Sequence, residues 1–344
     1  MSTEHTRWVV SAPPHVTGPD STPRIMWSVV ASLAPATLAG FWLFGISAVM
    51  VVLAATLGAV VTERSCGHRG SLMDGSGVIT GLLLGLTLPP GFPMWMAFVG
   101  GAFAIGAGKL LFGGLGHNVF NPALLGRAFL QAAFPVAITT WPQAGGSFFS
   151  LKGDTFALPL MSPKLNNEGG VDVVTEATPL GLMKFEQEST GTMELLLGNT
   201  SGSIGETSAL LILLGGLYLA WKGYLNWRIP VSIFATVALM GALLWGTGYG
   251  AYPGGPWFLL GAGGLMLGAV YMATDMVTSP VTNKGAWVFG AGVGLLVVLI
   301  RVWGGLSEGM MHAILLMNTL VPYINRRTQP RVFGTRLKKA EVEA

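Results

Sequence analysis

Long apolar runs separated by short polar connections occupy most of the chain from residue 26 onward. A helix needs roughly 20 mostly apolar residues to cross a bilayer, and several runs approach that length. Ten runs lie near residues 26–43, 45–62, 74–89, 94–112, 120–139, 206–222, 229–247, 257–273, 286–303 and 308–325. The pattern predicts an all-α polytopic membrane protein with about ten transmembrane helices.

The composition strengthens this prediction. Charged residues account for 10% of the 344 residues and apolar residues for 51%, which excludes an ordinary soluble globule. The single cysteine, Cys66, can neither form a disulfide framework nor hold an iron-sulfur cluster without a partner. The net charge of +3 is spread over the loops, so no nucleic-acid partner is expected.

One long polar segment divides the ten runs into two groups of five. The chain is therefore organised as an N-terminal segment (1–25), a first membrane half (26–139), a polar loop (140–205), a second membrane half (206–325) and a basic tail (326–344). Because an odd number of spans reverses the direction of the chain, the halves are predicted to be inverted relative to each other, as in inverted-repeat transporters.

The positions of Lys and Arg predict the orientation, since short cytoplasmic loops retain positive charge. An N-terminus in the cytoplasm places Arg64, Lys222 and Lys284 on the cytoplasmic side together with the basic tail. The same threading places the acidic loop 140–205 in the periplasm or the cell exterior. We therefore expect a multi-pass protein in the lipid bilayer with both termini in the cytoplasm.

Two carboxylates on the predicted cytoplasmic side are candidates for an ion pathway. Asp74 opens the third run beside Gly75, where it caps the helix, provides a cation or proton site, or does both. Asp275 closes the eighth run ahead of Lys284, in a segment that could form a polar re-entrant turn.

The segment from Gly113 to Arg127 combines a helix start with an intramembrane cation. Asn121 followed by Pro122 is typical of an N-cap and a first helical position, and such a helix start binds anionic or electron-rich groups. Arg127, about a turn and a half further on, must meet a carboxylate, a phosphate or a cofactor ring. One interpretation is a cap followed by a snorkelling arginine, and the other is a cofactor or ion pocket.

Two further pairs have structural interpretations. Ser203 and Glu206 have the spacing of a capping box at the start of the sixth run. Arg301 and Glu308 flank the turn between the last two runs, and a salt bridge across that turn is expected.

The polar loop contains the most specific motif of the chain, Asp172-Val173-Val174-Thr175-Glu176-Ala177-Thr178-Pro179-Leu180. Together with five other stretches, in this order, it resembles the D subunits of the Rnf electron-transport complexes (RnfD) and, more distantly, the B subunits of the sodium-pumping NADH:quinone reductases (NqrB). The six stretches are Asp74 to Pro90, Gly113 to Leu130, Asp172 to Leu180, Gly198 to Gly216, Met272 to Pro280 and Arg301 to Asn318.

The resemblance implies a covalent cofactor. In that family a Ser/Thr-Xaa-Ala-Thr tetrad carries FMN on its last threonine through a phosphoester. This maps the attachment onto Thr178, a phosphoryl threonine, with Thr175 at the first position of the tetrad and Asp172 and Pro179 on either side. Glu176 stands at the second position, where the quinone reductases commonly have Gly, and this departure does not move the site.

The resemblance also implies a second, noncovalent flavin, riboflavin, in the membrane domain. Asn118, Asn121 and Arg127 are the residues expected to contact it, because they supply amide donors and acceptors and a planar cation near a helix start.

The family's reaction is electron transfer between reduced ferredoxin and NAD, coupled to movement of Na⁺ or H⁺ across the bacterial inner (cytoplasmic) membrane. The resemblance implies that this chain is one component of such a translocase, without a complete active site of its own. Its expected partners are the RnfA and RnfE membrane proteins, the flavin-bearing RnfG, the iron-sulfur proteins RnfB and RnfC, and a flavin transferase. Ferredoxin and NAD would bind to those partners, because no Gly-x-Gly-x-x-Gly opens a soluble domain here.

A competing hypothesis is a passive channel or a secondary transporter for a small solute. It explains ten spans, inverted halves and the Asn121-Pro122 helix start. It gives no purpose to the tetrad that ends at Thr178.

Overall fold

The computed structural model describes residues 20–67, 71–142, 145, 147–149, 151–152, 154–159, 177–186, 188, 190–191, 194–195, 198, 200–206, 208–248 and 255–330. The regular structure within these residues is helical, as predicted. The helices are α1 (Thr22–Phe44), α2 (Ile46–Cys66), α3 (Ser76–Leu86), α4 (Met94–Ile105), α5 (Pro122–Ala133), α6 (Pro135–Thr139), α7 (Pro179–Gly181), α8 (Ala209–Trp221), α9 (Arg228–Thr247), α10 (Gly255–Gly261), α11 (Leu265–Leu267), α12 (Asn283–Trp303) and α13 (Met310–Thr328). Single π turns extend α4 to Leu110, α7 to Glu186 and α11 to Met272, and 3₁₀ turns lie at Ser71–Asp74 and Ile204–Glu206.

The long apolar helices indicate a membrane protein, and the helices differ in whether each is long enough to span a bilayer. By length and composition, α1, α2, α9 and α12 are the 4 described helices that can each cross a membrane. The pair α10 and α11 passes the same test only together, across a bend of 67°, and would be a fifth span or a re-entrant loop. Each predicted run contains helix, but the count of ten spans stays a prediction.

Prolines and helix caps set several of these boundaries. α3 ends at Leu86 ahead of Pro89-Pro90, since proline cannot continue the backbone hydrogen bonds of a helix. α5 begins as the sequence predicts, because the Asn121 side chain accepts hydrogen bonds from the backbone N–H groups of Ala123 and Leu124 at 3.0 and 3.3 Å.

The same helix pairs pack together in both halves of the chain. α2 packs against α3 and α4 in the first half, and α9 packs against α10 and α12 in the second; α4 packs against α5 as α12 does against α13. A left-handed glycine also occurs at the third element of each half: Gly75, with φ 77°, is the N-cap of α3, and Gly263, with φ 69°, lies in the break between α10 and α11. This correspondence supports two halves built from the same five-element plan.

Glycines allow the close packing within each half. A Cβ on Gly101 of α4 would collide with the backbone oxygen of Ala55 in α2, and a Cβ on Gly290 of α12 would lie 2.7 Å from the backbone oxygen of Ile229 in α9. Small residues at these crossings let the backbones approach where the hydrophobic effect no longer drives association.

One end of the helix bundle, here called the N-terminal face, carries the start of α1. The Tyr224 hydroxyl donates to Asp20 at 2.7 Å, and the Val281 N–H donates to the Asn325 side chain at 3.2 Å. An added Cβ on Gly75 would lie 3.2 Å from the Trp27 ring nitrogen. The connections before α3, α9 and α12 and the end of α13 therefore lie at this face.

The opposite end, here called the loop face, carries the described parts of the long polar loop. The Ile46 N–H donates to the Phe148 carbonyl at 2.8 Å, and the Met94 N–H donates to the Thr155 carbonyl at 3.1 Å. The described residues between 147 and 159 therefore lie over the loop-face ends of α2 and α4.

Candidate functional site

A cavity of about 540 Å³ opens on the loop face, and we call it the larger cavity. Its walls come from α5, α6, the segment 177–186, the connection between α12 and α13, and the first turn of α13. The lining residues are Arg127, Gln131, Ile138, Thr139, Trp141, Ala177, Thr178, Gly181, Phe185, Glu186, Gly305, Leu306, Ser307, Glu308, Met311 and His312. The size and the mixture of aromatic, apolar and convergent polar groups are typical of a small-molecule site.

Thr178 lies on the rim of the larger cavity. It is the N-cap of α7, and its Oγ1 accepts a hydrogen bond from the Gly181 N–H at 3.2 Å. Pro179 is buried at the first helical position, where its fixed φ favours the helix start. Thr178 is partly exposed, so its hydroxyl is positioned on a short ordered turn at the mouth of a cavity. Thr175 and Asp172 lie outside the described residues.

Arg127 pairs with a carboxylate, as the sequence predicts, but it does not line the same cavity as Asn118 and Asn121. Its Nη2 lies 2.8 Å from Oε2 of Glu308, and both side chains line the larger cavity. Asn118 and Asn121 line a different cavity, on the N-terminal face. The structure thus separates Arg127 from the two asparagines by cavity, because α5 carries Arg127 away from its own N-cap toward the loop face; their contact with riboflavin stays a prediction.

The expected direct salt bridge between Arg301 and Glu308 is not formed, although the charge of Arg301 still acts on Glu308. Glu308 uses one oxygen for Arg127 and the other to accept from the Gly264 N–H at 2.7 Å. Arg301 is fully buried and donates to the carbonyl oxygens of Leu259 and Ala262 at 2.6 and 2.9 Å. Both residues thus hold the break between α10 and α11.

The capping box predicted at the start of the sixth run does not cap α8. That helix begins at Ala209, and its N-cap is Ser208, whose side chain accepts from the Leu211 N–H at 3.4 Å. Ser203 and Glu206 are instead joined in the 3₁₀ turn that precedes α8. The Glu206 carboxylate accepts hydrogen bonds from both the backbone and the side chain of Ser203. Glu206 also faces Glu308 and Arg127, so this turn is part of the charged network beside the larger cavity.

A second, smaller cavity of about 110 Å³ lies on the N-terminal face between the two halves. Among the described residues, its lining combines apolar side chains with nine polar or charged ones. The lining residues are Ile25, Met26, Val29, Ser76, Ile79, Thr80, Leu83, Lys109, Leu115, Asn118, Asn121, Pro122, Ala123, Leu219, Tyr224, Leu225, Tyr271, Thr274, Asp275, Met276 and Val277.

The two asparagines of the smaller cavity differ in their freedom to bind a ligand. The Asn121 side chain is committed on both ends, since its oxygen caps α5 and its amide donates to the Met272 carbonyl at 3.1 Å. Asn118 donates to the Phe120 carbonyl at 3.2 Å and hydrogen-bonds Asp275 across the cavity. Asn121 therefore joins the two halves, and Asn118 is better placed to change partners.

Asp275 lies beside the smaller cavity in the connection that follows α11. It accepts hydrogen bonds from the Val277 N–H at 3.3 Å and the Thr278 hydroxyl at 3.1 Å, so it organises its own turn. Burial raises the pKa of Asp275, and these hydrogen bonds oppose that shift.

Asp74 belongs to a buried charged cluster that the sequence did not reveal. Asp74 Oδ1 accepts from the Ser76 N–H at 2.8 Å, which confirms its role at the start of α3. Lys109, near the end of α4, donates to Ser76 Oγ at 2.5 Å and to the Glu63 carboxylate, and lies 3.8 Å from Asp74 Oδ2. Lys109 and Glu63 are each 2% exposed. The available signal was a lysine inside the fourth apolar run and a glutamate at the end of the second.

A model of the family described as NQR2, RnfD, RnfE matches residues 9–334 of this sequence. The chain belongs to this family. Family membership agrees with the order of motifs in the sequence, including the segment that ends at Thr178 and the helix start at Asn121.

Curated relatives cover nearly the whole chain. The D subunit of the proton-translocating ferredoxin:NAD(+) oxidoreductase complex of Clostridium ljungdahlii is 43% identical over 96% of this chain and 97% of its own length. The D subunit of the ion-translocating oxidoreductase complex of Stutzerimonas stutzeri is 42% identical over 91% and 92%. The D subunit of the Na(+)-translocating ferredoxin:NAD(+) oxidoreductase complex of Acetobacterium woodii is 39% identical over 97% and 98%.

Proposed function

We propose that this protein is the D subunit of an ion-translocating ferredoxin:NAD oxidoreductase complex, that it carries FMN on Thr178, and that it relays electrons coupled to Na⁺ or H⁺ transport. The family and the names of the relatives support the complex. The observation that carries the cofactor assignment is the position of Thr178, whose hydroxyl lies at the mouth of a cavity of about 540 Å³.

The residues around Thr178 fit a flavin. The larger cavity falls within the range of about 300–1,000 Å³ that is common for small-molecule sites. Trp141, Phe185 and Met311 offer apolar surface to a flat ring, and Gln131 and Arg127 offer donors to its polar edge. Within the described part of the chain, His312 Nδ1 is buried without a hydrogen-bond partner, as expected where a ligand supplies one.

This chain's residues would hold FMN at three places. The phosphate would be esterified to Thr178 on the solvated rim, where its charge stays hydrated. The walls of the larger cavity would exclude water from the ring, and the Arg127–Glu308 pair would fix a cation beneath it. Bound there, FMN supplies one- and two-electron transfer.

The smaller cavity is the proposed site of the noncovalent riboflavin. Its apolar side chains would contact the face of a flat ring, and Asn118 and Tyr271 would bind the polar edge of that ring. Its volume of about 110 Å³ is too small for a whole flavin, so its lining side chains would have to rearrange to admit one. Asn118 is the proposed contact, and Asn121 shapes the site as the cap of α5.

Asp74 and Asp275 are the proposed carboxylates of an ion pathway on the N-terminal face. They lie near opposite walls of the smaller cavity, where Ser76 and Lys109 line one side and Asp275 the other. A cation or proton that passes between them would cross next to the proposed riboflavin site.

The orientation follows from the two faces. The N-terminal face gathers the basic connections, so we assign it to the cytoplasm, together with both termini, in a bacterial inner membrane. The loop face, with Thr178, is then periplasmic. RnfA, RnfE, RnfG, RnfB and RnfC proteins and a flavin transferase are the proposed partners, and ferredoxin and NAD are proposed to bind through them.

In-gel fluorescence of denatured protein tests the cofactor assignment. Chain produced together with its partner proteins and flavin transferase should show flavin fluorescence that survives SDS. Thr178→Ala should abolish it, while Thr139→Ala, which removes another threonine hydroxyl from the same cavity, should keep it. A passive channel would show no such signal, and fluorescence retained by Thr178→Ala would contradict the assignment.

A further inference from the structure

Lys184 connects the segment that carries Thr178 to the end of α12. Its ammonium donates to three backbone carbonyls, those of Arg301 at 3.1 Å, Gly304 at 2.5 Å and Leu306 at 2.8 Å. The last carbonyls of a helix have no donor within the helix, and the helix dipole is negative there. A lysine is therefore well suited to this position.

Apolar contacts hold the other side of the same segment. Leu180 and Met183 are 4% and 2% exposed, and they form a small core with Leu195, Phe258 and Ala262. Leu180 also packs over Gly263, where an added Cβ would lie 2.5 Å from its Cδ1. The segment is thus fixed to α10 by its apolar side and to the turn after α12 by Lys184.

The segment 177–186 and the connection between α12 and α13 both contribute walls to the larger cavity. Gly181, Phe185 and Glu186 line it from the segment, and Leu306 and Glu308 line it from the connection between α12 and α13. The hydrogen bond from Lys184 to the Leu306 carbonyl ties one wall to the other. Lys184 does not line the cavity itself, so its influence on a ligand there is indirect.

We infer that Lys184 is a positioning residue that closes the segment 177–186 onto the connection between α12 and α13, so that a ring attached to Thr178 is confined to the larger cavity. The inference rests on the proposed function. The flavin is then a fixed carrier rather than a group on a swinging loop, and electrons must reach it through the walls of this cavity.

The test is iodide quenching of the flavin attached at Thr178, in the purified full chain. Each variant is measured against the same variant that also carries Thr178→Ala, so that any noncovalent flavin is subtracted. Lys184→Met keeps the apolar stem and removes every donor. Loss of charge-assisted hydrogen bonds should open the segment and raise the quenching constant by about tenfold.

Two variants control for charge and fold. Lys184→Arg can donate to the same carbonyls and should keep the wild-type quenching constant. If only the size of the side chain mattered, Lys184→Met would keep that constant as well. Lys222→Met removes an exposed lysine on the N-terminal face and should change nothing. If Lys184→Met does not fold, Lys184→Gln, with one donating amide, should give an intermediate constant.

The outcomes separate this inference from the proposed function. Absence of covalent flavin in the wild-type chain refutes the proposed function itself. An unchanged quenching constant in a fully flavinylated Lys184→Met or Lys184→Gln chain overturns only the role of Lys184. Loss of covalent flavin from those variants also overturns it, because Lys184 would then serve recognition by the transferase.

Discussion

Arg127 and Glu308 are 181 residues apart in the chain, and their side chains meet at 2.8 Å. The pair joins α5 of the first half to the start of α13 in the second. Because the other oxygen of Glu308 accepts from the Gly264 N–H, the pair also holds the break between α10 and α11. This partly buried ion pair therefore connects both halves at the wall of the larger cavity.

Arg127→Met should be destabilising. It removes the cation from a pair whose side chains are 11% and 19% exposed. Breaking a fully buried pair from one side costs about 3–5 kcal/mol, and the loss here should lie below that because Arg301 still acts on Glu308. The double variant Arg127→Met/Glu308→Gln should lose less, since the charge of Glu308 is removed together with that of Arg127. Chemical denaturation in detergent measures both. Equal losses in the single and double variants would show that the ion pair does not carry the effect.

Lys109→Met should destabilise the N-terminal face in the same way. Lys109 and Glu63 have side chains that are 3% and 1% exposed, so removal of the ammonium leaves a carboxylate in the interior. Introducing Glu63→Gln alongside should recover part of the loss. The exposed Lys222→Met is the matched control and should stay within about 0.5 kcal/mol of wild type in thermal unfolding. A Lys109→Met chain as stable as this control would refute the prediction.

Asn121→Ala and Asn118→Ala should separate structure from binding. Loss of the α5 cap in Asn121→Ala should lower the free energy of unfolding by about 0.5–2 kcal/mol. Asn118→Ala should reduce the riboflavin that copurifies with the chain and cost less stability, because it caps no helix. Thermal unfolding and extraction of noncovalent flavin from the same preparations check both. The reverse pattern would place the flavin contact at Asn121.

Asn318→Leu should stabilise the protein. Asn318 is 2% exposed within α13, and neither its amide nitrogen nor its oxygen has a hydrogen-bond partner among the described residues. An apolar side chain of similar size removes a desolvation cost of about 1–3 kcal/mol. Asn121→Leu should have the opposite effect and destabilise the protein, because it removes an amide that makes hydrogen bonds. A lower melting temperature for Asn318→Leu would indicate that a bound water or ion satisfies this amide.

The sequence was most informative where a side chain hydrogen-bonds backbone groups only a few residues away. Asn121-Pro122 starts α5, and Asp74 accepts from the first turn of α3. Each depends on backbone groups a few residues away, so spacing alone predicts it. The all-helical class follows equally directly, since every apolar run contains helix.

Contacts between distant segments could not be predicted in this way. Glu308 lies seven residues after Arg301, yet the ion pair that the structure gives it is with Arg127. Lys109 and Glu63 read as charges near the ends of two runs, and only the packing of α4 on α2 brings them together. The three carbonyls around Lys184 carry no sequence signal at all, because they are backbone atoms.

The central claim is the phosphoester at Thr178, and mass spectrometry of the tryptic peptide 165–184 tests it most directly. In the chain matured with its flavin transferase, this peptide should carry the mass of FMN less one water, with fragment ions that place it on Thr178 rather than Thr175. An unmodified peptide from such a preparation would contradict the account.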